Sequence, residues 1–157
     1  MGEGVGVIYL VHHADAVGPD VNPQRPLSAS GQLHAEALAG AAASRGVKPE
    51  MIWHSGKLRA RQTAEPFLRL CNPLAGFAAI HGLQPTDPPM WINDLVAVEE
   101  RDLLLVGHMP NLPRVLTLLV TGSEVGLLPF PLHGMIALRA AGTRWQEEWR
   151  REGSPSG

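Results

Sequence analysis

The sequence predicts a three-layer α/β fold with a mostly parallel central sheet. Two runs, residues 5–11 and 102–107, are short, almost wholly apolar and rich in aliphatic side chains, as strands covered on both faces by helices must be. The segments between such runs carry helix start and stop signals, so strands and helices alternate. Each of these two strands also stops at histidine, His12-His13 in one case and His108 in the other. That is the rim at which open α/β sheets bind ligands.

In chain order, residues 5–11 are the first strand. A loop with Pro19, Pro23 and Pro26 follows, and Ser28 is placed to cap a helix that runs through an alanine-rich stretch to Arg45 and closes at Gly46. Residues 51–54 read as a short strand and 57–70 as a helix, with Pro66 expected to kink it or sit near a tight join. Residues 74–89 show no clear period and end in a proline-rich loop, and 92–99 form a third short helix. Residues 102–107 are the second apolar strand. A helix over 110–121 starts with proline and ends before Gly122. Residues 135–140 and 143–149 pair as a hairpin across Ala141-Gly142, adding antiparallel strands at one side of the sheet. A single domain over 1–150 with a frayed tail over 151–157 is expected.

With 157 residues and 45% hydrophobic content, the chain has enough apolar surface for one core. A net charge of −2 lacks the basic excess of a nucleic-acid binder. The single cysteine, Cys71, excludes an internal disulfide and a cysteine-rich zinc site and fits a reducing compartment. No apolar run approaches the roughly 20 residues of a membrane helix and no targeting segment is seen, so a cytoplasmic protein without membrane contact is expected. The oligomeric state has no signature. Trp53, Trp91, Trp145 and Trp149 read as packing residues, and the mixed charges of residues 144–151 as a solvated edge.

His12, His13, His54 and His108 all stand at strand ends, and Arg59 lies within reach of the same rim from the following helix. The blocks around them are residues 10–16 (LVHHADA), 25–31 (RPLSASG), 55–65 (SGKLRARQTAE) and 106–110 (VGHMP). In order and spacing these four blocks resemble the histidine phosphatase superfamily, a phosphoglycerate mutase-like fold, and most closely its short SixA-type phosphohistidine phosphatases. The resemblance spans nearly the whole chain. It implies that His13 is the nucleophile, forming a covalent phosphohistidine that water hydrolyses, and that Arg59 and His108 bind the phosphoryl group without a metal or other cofactor. It also implies a phosphohistidine protein or a small phosphorylated molecule as substrate.

The first block departs from the family, whose arginine before the nucleophile is replaced by His12, and whose following glycine is Ala14. His12 is therefore expected to stand in for the arginine as a phosphate ligand, charged only toward acid pH, with Arg25 adding cationic charge. Activity favouring acid pH is the corollary. No glutamate occupies residues 81–87, which leaves Asp15 and Asp87 as candidate general acids. A phosphohistidine substrate depends less on one, because its leaving imidazole can take a proton on the second ring nitrogen.

Two alternatives stand beside this reading. In one, the same pocket holds a phosphorylated ligand or protein without turnover, His12 being the disabling change. In the other, His12, His13, Asp15, His54 and His108 hold a metal, making a metallohydrolase. Against the second, neighbouring strand residues point to opposite faces. His34, His81 and His133 receive no role.

Overall fold

The computed structural model describes residues 6–153, so Val5, at the start of the expected first strand, and residues 154–157 of the expected tail lie outside the described residues. The central sheet has six strands: β1 (Val7–His12), β2 (Met51–His54), β3 (Gly76–Ala79), β4 (Leu103–Gly107), β5 (Met135–Ala141) and β6 (Arg144–Arg151). Their spatial order is β3-β2-β4-β1-β5-β6. The first four of that order run parallel, and β5 and β6 are antiparallel additions beside β1. The fold is thus α/β with a mostly parallel sheet.

Alternation along β1 explains why its sequence is apolar throughout. Val7, Tyr9 and Val11 face a layer made by α1 (Ala29–Ser44) and α2 (Leu58–Cys71), where Leu38, Ala39, Ala42, Ala64 and Phe67 are buried. Ile8 and Leu10 face the other layer, α3 (Pro89–Val98) and α4 (Asn111–Thr121), where Ile92, Leu112, Val115 and Leu116 are buried. β4 behaves likewise, Leu104 and Val106 going one way and Leu103 and Leu105 the other.

The helix signals act where expected. The Ser28 hydroxyl accepts the Gly31 N–H at 3.0 Å, capping α1, and Gly122 ends α4 in the left-handed conformation at φ 77°. Pro66 lies buried inside α2, which continues past it to Cys71. The third helix begins at Pro89, earlier than Ile92, because a proline at the first helical position lacks only an N–H that would be unpaired there.

Three features differ from expectation or extend it. Residues 76–79, inside the stretch without a clear period, form the edge strand β3, which pairs with β2 alone and is half exposed. β6 continues to Arg151, opposite Met135, so the sheet takes in the first residue of the expected tail. A bulge opposite Ala137/Leu138 switches the facing of β6, sending Trp145 to the α3–α4 core and Trp149 to the α1–α2 core, where Arg45 stacks on it at 4.0 Å. Among the described residues, no helix is long and apolar enough to cross a membrane.

Candidate active site

The site forms where β1 and β4 end side by side, His12 opposite Gly107. His13 N donates to Gly107 O at 3.1 Å, so the chain stays anchored to β4 one residue beyond the strand. Strand alternation lapses at this point, and the His12 and His13 rings lie 4.5 Å apart. The expectation that these neighbours diverge to opposite faces is therefore corrected.

His13 has a fixed tautomer. Its Nδ1 is 2.7 Å from Ala14 O, and since a carbonyl only accepts, the proton resides on Nδ1 and the lone pair on Nε2. Burial holds the ring down to about 4, helped by the charges of Arg59 and Arg25 and opposed by the bond to Ala14, so it is neutral at ordinary pH.

His108 stands 5.0 Å from His13, ring to ring. Its Nε2 is 2.7 Å from Ser55 Oγ, which also accepts the Lys57 N–H at 3.2 Å and can either donate its own hydrogen to the ring or accept one from it. When the hydroxyl donates, His108 Nδ1 bears the proton. Burial, with His13 and the nearby cations, pushes His108 down to about 3. Nδ1 of His108 and Nε of Arg59 are buried and bond to no protein atom among the described residues. An unpaired buried polar group costs about 1–3 kcal/mol, and Arg59 Nε, which can only donate, together with the Nδ1–H tautomer of His108 suits an anionic acceptor beside His13.

His12 is 5% exposed, and its Nδ1 accepts the backbone N–H of His133 at 2.8 Å. Its proton consequently sits on Nε2, and His12 is a neutral donor. Burial first, then His13 and His133, push it down to about 2. Without a bound anion the neutral form of His12 is favoured over the charged one, because protonating Nδ1 would displace a hydrogen bond inside a buried cluster of histidines and arginines. Arg25 has a left-handed backbone at φ 50°, and its Nε donates to Val17 O at 2.8 Å. Its positive charge is felt at His13, Arg59 and His108. Beside Arg59 a cleft of about 500 Å³ opens, lined by Pro23, Gln24, Lys57 and Arg61 among others.

No protein-family model matches the sequence, and no curated protein matches it either. The similarity to known proteins is one of structure. A protein histidine phosphatase SixA, solved with tungstate, superposes with a TM-score of 0.79 at 18% identity, over 94% of this chain and 97% of that one. The SixA protein from Agrobacterium tumefaciens gives 0.76 at 25% identity, over 96% and 98%. The α-ribazole phosphatase from Shigella flexneri gives 0.72 at 13% identity, over 94% and 96%. The chain has the histidine phosphatase fold.

Within that fold the two candidate general acids are occupied as acceptors. Asp15 is exposed, and its Oδ2 takes a hydrogen bond from Ser28 Oγ at 2.7 Å. Asp87 Oδ2 accepts Gly82 N and Gln84 N at 3.0 and 2.9 Å, stapling the loop after β3. His54 turns away from the histidine cluster: its ring packs 5.2 Å from Phe77 and its Nδ1 accepts Gly56 N.

His133, given no role from sequence, belongs to the site. Its ring stacks on His12 at 4.9 Å, nearly parallel, and its Nδ1 lies 2.7 Å from His13 O. The signal that could have found it is register, since Val11 pairs with Met135 and the antiparallel count then sets His133 opposite His13. Among the described residues, one ring nitrogen from each of His12, His13 and His133 falls within 4.8 Å of the others, so this trio, rather than the expected set with Asp15, His54 and His108, has metal-binding spacing. The tautomers limit it. With Nδ1 of His12 receiving an N–H, its Nε2 is protonated, which leaves ready lone pairs on His13 and His133 only. A catalytic zinc site takes three protein ligands.

Proposed function

We propose that the protein is a phosphatase that hydrolyses a phosphohistidine, or a small phosphomonoester, through a covalent phosphohistidine on His13. The observation that carries this reading is a neutral imidazole with its lone pair on Nε2, set beside two buried nitrogens, Arg59 Nε and His108 Nδ1, that bond to no protein atom among the described residues. Nε2 of His13 attacks phosphorus while the bond to the leaving group breaks and its electron pair departs with that group. Arg59, His108 and the neutral Nε2–H of His12 donate to the phosphoryl oxygens, where negative charge develops, and Arg25 adds a cation nearby. Water then attacks phosphorus, the P–N bond breaks, inorganic phosphate leaves and His13 recovers its lone pair.

A phosphohistidine suits this pocket because its leaving imidazole takes a proton on its own second nitrogen. An alkyl ester would need an acid beside its leaving oxygen, whereas Oδ2 of Asp15 and of Asp87 is engaged with Ser28 and with the loop after β3. The cleft with Lys57 and Arg61 beside Arg59 favours an anionic substrate or an acidic protein loop. The solved SixA proteins of the same fold support the substrate class, and a cytoplasmic setting is part of the proposal.

The test is hydrolysis of a phosphohistidine peptide and an aryl phosphate with chelator present, comparing wild type with His13→Ala. Turnover abolished by the substitution is the expected result. If wild type binds the phosphopeptide stably without turning it over, the protein is a phospholigand-binding member of the fold, which the absence of a fixed charge at His12 would explain.

A further inference from the structure

We infer that His133 is a further phosphate ligand, forming with His12 a stacked pair of imidazoles that together take the place of one arginine. This rests on the phosphatase reading above. The two rings are 4.9 Å apart and within 5° of parallel, and they are locked in complementary tautomers. His12 receives the His133 backbone N–H on Nδ1 and so presents Nε2–H as a donor. His133 faces the carbonyl of His13 with Nδ1, so that nitrogen bears the proton and Nε2 carries the lone pair.

In this proposal a phosphoryl group at His13 meets two different atoms from this pair. His12 donates to an oxygen that carries no proton. Nε2 of His133 forms one hydrogen bond with an oxygen that does, and the bond exists whichever partner holds that proton. An arginine fork would offer two donors and a fixed charge, whereas this pair offers one donor and one site that accepts or shares a proton. The common space is small, since one ring nitrogen of each of His12, His13 and His133 lies within 4.8 Å of the others.

The backbone shows that the placement is specified. His133 has φ 54°, a left-handed conformation uncommon outside glycine and one that histidine enters more readily than most side chains. Gly134 O in turn accepts the His12 N–H at 2.9 Å, so residues 133 and 134 hold both the main chain and the ring of His12.

Two substitutions separate a ligand from a turn residue that merely fits. His133→Asn tolerates the positive φ and keeps an N–H for the His13 carbonyl but has no distal nitrogen; His133→Gly keeps the backbone and removes both. Calorimetric titration with inorganic phosphate should show about a tenfold loss of affinity in both variants, with the melting temperature of the Asn variant unchanged. Wild-type affinity in the Asn variant would overturn the inference and leave the phosphatase reading standing. Absence of phosphate binding by the wild type would instead overturn that reading. In a His12→Arg background the Asn substitution should change affinity by less than about threefold, because the fork supplies both contacts. An undiminished loss there would overturn the pairing.

Discussion

Thr63 fastens Ala14, the residue after His13, to the helix that carries Arg59. Its hydroxyl accepts the Ala14 N–H at 2.9 Å and donates to the Arg59 carbonyl at 2.8 Å, so one side chain ties two parts of the site together. The whole residue is buried. Thr63→Val keeps the shape but leaves the Ala14 N–H without a partner, which should destabilise the protein by about 1–3 kcal/mol. Turnover number should fall more than KM rises, because the nucleophile's support is loosened. Urea unfolding and steady-state kinetics on the same preparation check both.

Gly31 makes an equally close approach. A Cβ there would overlap the Asp15 carbonyl, which is backbone and cannot swing aside. Gly31→Ala should cost about 1–3 kcal/mol. Gly40 lies in the same helix with nothing near its missing Cβ, and Gly40→Ala should raise stability by about 0.5–1 kcal/mol. Equal effects at the two positions would contradict the close approach.

Ser55 holds the ring of His108 through its hydroxyl. In Ser55→Ala the ring loses its hydroxyl partner at Nε2 and with it the contact that orients it. A loss of about tenfold in kcat/KM is expected, the size of one lost hydrogen bond in a buried site. Ser55→Thr keeps the hydroxyl and should recover most of the rate.

His12, His13 and His108 all titrate below histidine's ordinary 6.5, at about 2, 4 and 3. Between those values and 6.5 the unfolded chain holds protons that the folded chain does not, so stability rises with pH across this window and is lost as pH falls through it. Each histidine contributes a slope of about 1 kcal/mol per pH unit there. Denaturation at intervals from pH 7 to pH 4 should show the decline, and a flat profile would contradict it. The same neutrality predicts that the acid limb of kcat/KM lies near His13's value of about 4 rather than near 6.5. This reverses the acid preference that a charged His12 would give.

How far the sequence reached follows from what each feature depends on. β1 and β4 are covered on both faces, and that condition writes itself into the chain as an apolar run. β3 has a half-exposed edge and four residues, so its pattern carries no period. His13, Arg59 and His108 stand at element ends that local signals locate. His133 reaches them only through the pairing of β1 with β5, more than a hundred residues apart in sequence, and nothing near residue 133 announces it. Asp15 and Asp87 drew notice as acids. Their oxygens accept the Ser28 hydroxyl and the N–H groups of Gly82 and Gln84, contacts that composition does not encode.

The most direct test of the account is to quench the wild-type protein during turnover of a phosphohistidine peptide and map phosphorylation by mass spectrometry under conditions that preserve phosphohistidine. The account predicts a phosphoryl group on His13, accumulating within the first turnover, lost on further incubation and missing in His13→Ala. Turnover with no phosphorylated His13, or with the label on His12, His108 or His133, would contradict it.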